Sequence, residues 1–454
     1  MKHWITAIIM CLLVVVVSAQ NVTITGQSNK TNTLIRLFVY EDLLNETGIL
    51  LDQGQTDGQG HFILEGNVKQ ILPARIYVGL EYVDLILTPN ATYDIDIIVP
   101  EQQENVSYFE KELPTIRVKR ATDQGIYRQI ILSEEIINGY LIEHFNQIYR
   151  GRQLRYIDSI QNTINKELPD IKSDYVKAHN RYKIASVRLG ISTDGGKKII
   201  KDYFDNQPVL YTHSAYMDLF KELFDGYFNG AAYDSHLLNV AFTESPSSFK
   251  QYLDTDPFMA KNPRLAELIT IYNLQKLCYG DRNTSRLAKE HLNSMKSQTK
   301  YVEHKTIISN FFTKFNRLAS GTDAPQFTLK DSNGKDVSLS DYKNDLVLLQ
   351  FVDGVSAVRH LAELRNLHYQ WQDSVQILTI ATHDKMEFFK QLFEEKRHDW
   401  PLLDLGDNIL LLEAYNVHTF PEYILIKRNN KIGEAPAPSP ERYLDERVRK
   451  FYGK

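Results

Sequence analysis

The spacing of apolar residues changes twice along the chain. Between Val22 and Val99 it is the spacing of strands. Val22 to Gly26 and Leu34 to Tyr40 are short β-prone runs. Thr56-Asp-Gly-Gln-Gly60 is a turn signal ahead of His61 to Leu64. Ile76 to Leu80 and Asp84 to Leu87 follow. Pro89-Asn90 makes another turn before Tyr93 to Ile97, which alternates apolar and polar side chains. Several short strands joined by turns predict a small β-sandwich over residues 20–100.

Near Glu101 the texture changes, and from about Ser107 to Arg317 the period is helical. Ile130, Ile137, Leu141, Phe145 and Ile148 fall on one helical face. A second stripe runs through Leu154, Ile157, Ile160, Ile164 and Leu168, and Pro169 ends it. Gly195-Gly196 and Asp205 to Pro208 mark breaks. Asn262-Pro263 predicts a helix start, with Asn as cap and Pro in the first helical position. Leu265, Leu268, Ile269 and Tyr272 then line a face. Stripes of this kind build cores, and no self-similarity marks a helical repeat. Residues 101–318 therefore read as an irregular helical region, either a spacer or a binding surface.

From Gly321 onward strands and helices alternate. Gly321 to Leu329, Asp331 to Gly334 and Val337 to Asp341 predict a β-hairpin leading to a strand. Leu346 to Val352 and Val375 to Ala381 are apolar runs of the kind found in parallel strands covered on both faces. Ser356 to Trp371 and Lys385 to Lys396 predict helices. Glu422 to Lys427, the Asn429-Asn430 turn and Lys431-Ile432 form a second hairpin. Pro440 to Tyr452 closes with a helix.

Two stretches of this last part carry a resemblance. GTDAPQFTLKDSNGKDVSLSDYKNDLVLLQF, from Gly321, resembles the opening of the thioredoxin and alkyl hydroperoxide reductase superfamily, particularly its exported thioredoxin-like members. AYNVHTFPEYILI, from Ala414 to Ile426, resembles the segment carrying that superfamily's cis-proline, which implies a cis bond before Pro421. TDGQGHF followed by LTPNATYDIDI resembles, more loosely, the small β-sandwich that precedes thioredoxin-like domains in many exported proteins of Bacteroidetes. The expected fold class is multidomain α+β: an N-terminal β-sandwich, a central helical region at 101–318 and a C-terminal thioredoxin-like α/β domain at 319–454.

Composition bounds the rest. A net charge of −5 offers no basic face for nucleic acid. Lys2 and His3, the apolar run Ile5 to Val17 and the small residues Val17-Ser18-Ala19 have the pattern of a secretory signal peptide over residues 1–19. A retained anchor is the alternative. No other stretch is apolar enough to span a membrane. The expected location is outside the cytoplasm, in the periplasm or cell envelope. Of the 2 cysteines, Cys11 lies in the apolar run, so removal of the signal leaves Cys278 alone, and one cysteine makes no internal disulfide. Asn21, Asn29, Asn45, Asn90, Asn105 and Asn283 begin N-x-Ser/Thr triplets.

The resemblance also implies a reaction that this sequence lacks the groups for. Thiol-disulfide exchange needs a thiolate at a helix N-terminus and a second cysteine three positions on. Aligned from Phe351, those positions hold Ser356 and Arg359. Dithiol chemistry is excluded there, and peroxiredoxin-type chemistry fails because no cysteine follows Cys278. Ser356 reads as a helix N-cap, with an anion site at Arg359 and His360 as the sharper alternative. The backbone beside Pro421 pairs with extended peptides in thioredoxin-like proteins, and Phe420 adds apolar surface. The alternative is that Pro421 serves only the turn. Cys278 reads as a buried, inert thiol. Gly190 to Lys198 lacks the placement a phosphate loop needs. No HExxH, paired cysteines or GxSxG occur, so no metal or cofactor is expected.

The sequence thus predicts a redox-inactive cell-envelope protein that holds an unidentified protein or peptide partner through Ser356, Arg359, Phe420 and Pro421. The alternative is an oxidoreductase accessory using Cys278 as a lone thiol. A ligand site in the aromatic helical region is a weaker third reading.

Overall fold

A computed structural model describes residues 21–101, 112–230 and 233–452. The predicted signal peptide, Cys11, Asn105 and Ser107 lie outside the described residues.

The first region is a sandwich of two four-stranded sheets. Its strands are β1 (Val22–Ser28), β2 (Leu34–Asp42), β3 (Thr47–Gln55), β4 (His61–Gly66), β5 (Leu72–Val78), β6 (Glu81–Leu87), β7 (Thr92–Ile98) and β8 (Thr115–Ala121). The sheet orders are β4-β1-β7-β8 and β3-β2-β5-β6. The inward residues of both sheets, among them Ile24, Leu37, Leu64, Ile76, Leu85 and Ile95, form one core. Two strands are absent from the sequence reading. β3 carries two glycines and has no fully buried residue, so its pattern lacks the alternation of a half-buried strand. β8 lies beyond residue 100, where helices were expected. It is an edge strand rich in charge, and Lys119 reaches Asp94 at 3.0 Å and Asp96 at 2.9 Å on β7.

The middle region is helical. It comprises α1 (Ile126–Glu143), α2 (Leu154–Glu167), α3 (Asp174–Gly190), the short α4 (Lys197–Ile199), α5 (Ser214–Phe224), α6 (Ser235–Glu244), α7 (Pro246–Leu253), α8 (Pro257–Lys261), α9 (Pro263–Leu277), α10 (Arg282–Gln298) and α11 (Val302–Arg317). The predicted stripes are buried at Ile130, Ile137, Ile148, Ile157, Ile160 and Ile164. Phe145 and Leu154 are exposed instead. α1 ends at Glu143, and a π-helical turn at Asn146–Arg150 shifts the phase of the face. Three helices begin with a polar residue followed by proline. Ser245 Oγ and Asp256 Oδ1 cap α7 and α8, accepting from Ser248 N at 3.0 Å and Phe258 N at 2.8 Å. Asn262 stands at the cap of α9 without capping it. Its amide donates to Asp205 Oδ1 and to Phe258 O, at 2.9 Å each, tying the preceding loops together.

The last region is a seven-stranded mixed sheet covered by helices on both faces. Its strands are β9 (Thr328–Asp331), β10 (Asp336–Ser338), β11 (Leu346–Val352), β12 (Val375–Ala381), β13 (Leu402–Asp404), β14 (Glu422–Lys427) and β15 (Lys431–Glu434). The helices are α12 (Ser356–Trp371), α13 (Met386–Lys396), α14 (Ile409–Ala414) and α15 (Leu444–Tyr452). The order is β10-β9-β13-β12-β11-β14-β15, with β11, β12 and β13 parallel. β11 is an interior strand, between β12 and β14, and buried along its whole length. The closing helix begins at Leu444 rather than Pro440, because the chain first turns through Tyr443 at φ +47°.

The regions are bolted together by buried polar groups. Asp42 at the end of β2 is buried, and its Oδ2 accepts from Asn45 Nδ2 at 2.8 Å and from Asn310 Nδ2 of α11 at 2.9 Å. Asn45 donates in turn to Ile307 O at 2.9 Å. On the sandwich's other joint, Leu34 N donates to Asp407 Oδ2 at 3.0 Å and Arg36 to Asp407 O at 2.6 Å. No helix of the described residues is long and apolar enough to cross a membrane.

Asp42→Ala leaves the amides of Asn45 and Asn310 without their acceptor in a buried joint. The expected loss is about 2–3 kcal/mol, read as a lower urea midpoint. An unchanged midpoint would show that the joint does not contribute to stability.

Candidate functional site

The register of β11 against β14 sets the site. Phe351 lies opposite Glu422, so the peptide entering β14 is level with the end of β11. From there the chain turns through Asp353-Gly354-Val355 into α12. Gly354 makes that turn at φ +87°, a conformation that side chains with a Cβ resist. Ser356 and Arg359 in the first turn of α12 therefore share one end of the sheet with Phe420 and Pro421. The Phe420–Pro421 peptide bond is cis.

Three expectations change on contact with the structure. Ser356 is not the N-cap. Val355 occupies the cap in helical conformation (φ −64°, ψ −22°) and no side chain caps α12. A capping hydroxyl needs an extended backbone at its own residue, and Ser356 is already helical and exposed. Arg359, 80% exposed, is paired with Glu441 at 2.6 Å, so the chain itself supplies an anion at the site that the alternative reading gave to Arg359 and His360. Phe420 is half-buried and packs against the core group that includes Phe351 and Tyr415, so only part of its ring is free surface.

Beneath α12 lies a hydrogen-bonded chain. Trp400 Nε1 donates to Thr379 Oγ1 at 3.0 Å, and Thr379 donates to Gln350 Oε1 at 3.1 Å. Gln350 Nε2 donates to the Tyr423 hydroxyl at 3.2 Å. Burial lifts the Tyr423 phenol far above its ordinary value, so it keeps its hydrogen and donates it to His360 Nδ1 at 2.7 Å. The imidazole proton then sits on Nε2, on the side of Glu441. Every donor points the same way, from the sheet toward the first turn of α12. Beside Pro421, burial raises the Glu422 carboxyl above the usual range, while a hydrogen bond from Thr419 pulls it back.

Sequence reasoning missed Gln350, Thr379, Trp400, Tyr423, Glu422 and Glu441. The one available signal was Gln350, a polar residue inside an otherwise apolar run. The loop before Phe420, Asn416 to His418, lines a cavity of about 710 Å³ shared with Tyr40 and Arg75 of the sandwich and Lys314 of α11. Among the described residues no group of His, Cys, Asp and Glu could hold a metal ion.

Cys278 stands at the C-cap of α9, 2% exposed, inside the helical core. Burial pushes its thiol up to about 11, the opposite of a reactive cysteine. This removes the ground for Cys278 as a lone redox thiol.

A central parallel sheet with an N-terminal hairpin, a C-terminal hairpin and helices on both faces is the thioredoxin-like arrangement. Residues 320–435 match the sequence model of the AhpC/TSA family. Thiol-disulfide oxidoreductase ResA of Geobacillus thermodenitrificans is 31% identical over 132 residues, 28% of this chain and 74% of that protein. ResA of Bacillus subtilis is 25% identical over 130 residues, 28% of this chain and 72% of that protein. Among solved structures, the thioredoxin domain of a thiol-disulfide oxidoreductase from Bacteroides vulgatus is 30% identical, with 30% of this chain and 99% of that one covered and a TM-score of 0.28. The chain belongs to the AhpC/TSA family, within the thioredoxin-like superfamily.

Tyr423→Phe removes the middle of the chain and leaves the buried Gln350 Nε2, and His360 Nδ1, without their partner. About 2 kcal/mol should be lost, seen as a lower urea midpoint. A wild-type midpoint would mean that the chain is not coupled to stability. In the folded protein Cys278 should resist a chromogenic disulfide reagent until denaturant is added; rapid native-state reaction would reverse the assignment of an inert thiol.

Proposed function

We propose that this protein is exported to the cell envelope and holds a protein or peptide partner at the Pro421 end of its thioredoxin-like domain, without thiol chemistry. The observation that carries this reading is the content of the α12 turn. Where the relatives' named activity requires two cysteines, this chain has Ser356 and Arg359, with Arg359 engaged by Glu441. A serine hydroxyl does not ionise near neutral pH and forms no disulfide. No cysteine follows Cys278, and Cys278 is buried in another region.

Partner binding is supported by what remains at that end. His418 and Thr419 are exposed just before β14, so backbone there is available to an extended peptide. The sandwich and the helical region both reach the cavity beside this loop, which gives a bound chain walls from all three parts. Export is supported by the apolar run Ile5 to Val17 with small residues after it.

Reduction of insulin tests the reading, with insulin itself as the probe peptide. The natural protein should be inactive. A Ser356→Cys/Arg359→Cys variant should gain activity, because a groove that still seats a peptide lacks only its thiols. Adding Thr419→Arg to that variant should lower its rate severalfold without moving the thermal midpoint. Activity in the natural protein, or none in the double-cysteine variant, would overturn the proposal.

A further inference from the structure

The helical region contains a relay that partner binding does not use. Glu267 of α9, His304 of α11 and Tyr211 in the loop before α5 are joined in series. Glu267 Oε1 lies 2.7 Å from His304 Nδ1, and Tyr211 Oη lies 2.7 Å from His304 Nε2. Arg264 Nε donates to the same Tyr211 oxygen at 3.0 Å, while Arg264 Nη2 pairs with Glu303 at 2.8 Å. The His304 side chain is 0% exposed.

The hydrogens follow from the partners. A carboxylate only accepts, so His304 Nδ1 carries the imidazole proton and Nε2 presents its lone pair. Tyr211 must therefore donate to Nε2. Arg264 has only donors, so its Nε–H points at the phenol oxygen. The result is a carboxylate, an imidazole and a hydroxyl in register, with a guanidinium on the oxygen that would become negative. The Arg264 guanidinium carbon lies 5.1 Å from the ring centres of both Tyr211 and Tyr301.

Stability alone is a poor account of this arrangement. His304 is fully buried between partly exposed charged partners, and a buried ionisable ring gives up hydration that an apolar side chain of the same volume would not have to surrender. The relay also has access to space. Tyr211 and Arg264 line a cavity of about 690 Å³ whose other walls include the apolar side chains of Leu43, Leu210, Met217 and Ile307. Burial holds the Tyr211 phenol up at about 12, with the Arg264 bond pulling the other way. An unassisted Tyr211 would stay protonated, and the adjoining base is what it needs.

We propose that Tyr211 is an acyl-accepting nucleophile, with His304 as its base, acting on activated carboxylic esters that carry a short apolar acyl chain. Glu267 is a positioning residue that keeps Nε2 free of its proton, and Arg264 stabilises the negative charge that develops on the Tyr211 oxygen. Tyr211 Oη attacks the carbonyl carbon while its proton passes to His304 Nε2. The bond from the carbonyl carbon to the leaving group then breaks, and the leaving group takes the proton from Nε2. Water attacks the acyl-tyrosine, giving its proton to Nε2. That proton returns to the Tyr211 oxygen as the carboxylic acid departs. An aryl ester is a higher-energy acyl donor than an alkyl ester. The substrate must therefore be an aryl ester or a thioester.

The test is hydrolysis of p-nitrophenyl butyrate by the full chain. It is paired with labelling by 4-(2-aminoethyl)benzenesulfonyl fluoride and mapping of the adduct by mass spectrometry. Saturable hydrolysis is expected, with the sulfonyl group on Tyr211. Tyr211→Phe keeps the ring and should lose both turnover and adduct. His304→Gln should lower turnover about 100-fold or more. Glu267→Gln should lower kcat with KM unchanged, and Glu267→Asp should recover part of the loss, because a carboxylate acceptor fixes the imidazole tautomer; a purely structural glutamate would move the urea midpoint and leave kcat in place. Turnover in Tyr211→Phe equal to the natural chain would overturn the proposal, and so would natural chain with neither turnover above buffer nor an adduct on Tyr211.

Discussion

A single buried amide constrains the thioredoxin-like domain. β11 has no face toward water, yet one of its residues is Gln350. An amide in such a place has to find protein partners or cost the domain its desolvation. It finds them on both sides, in Thr379 of the next strand and Tyr423 of the strand beyond. Because Tyr423 passes its hydrogen to His360, the demand made in the middle of the sheet is met in the first turn of α12. That turn is held from inside by His360 and from outside by the Arg359–Glu441 pair. That helix end is here a fixed, thiol-free surface.

The same economy of buried polar groups joins the regions. The end of β2 contributes Asp42 to the helical region, and its start lies beside Asp407 of the last region. One strand of the sandwich thus touches both other parts of the chain, and the cavity beside Asn416 to His418 takes walls from all of them. The partner recognition proposed at Pro421 and the acyl transfer proposed at Tyr211 rest on different residues, although Leu43 and Tyr175 line both cavities.

The legible parts of the fold were those whose environment repeats along the chain. β11, α12, β12 and β14 have the limits their apolar runs imply, since a strand covered on both faces is apolar at nearly every position and shows as an unbroken run. β3, β8, β13 and α14 were not legible. The first two are edge strands with little buried surface, and the last two are too short to establish a period. At the candidate site, residue types could be read but not their engagements. The cap of α12 depends on the backbone angles of Val355, and the partner of Arg359 comes from a loop far along the chain.

By itself the sequence determined that the thioredoxin-like region carries no thiol. Ser356 and Arg359 stand at the helix start, and no residue after Cys278 is a cysteine. Tertiary structure decided what stands in its place. The burial that makes Cys278 inert, the path from Gln350 to His360 and the meeting of Glu267, His304 and Tyr211 all join residues separated by long stretches of chain. Apolar periodicity reports only whether a position faces the core. Hydrogen-bond partnership depends on packing between elements, and that is set only when the chain has folded.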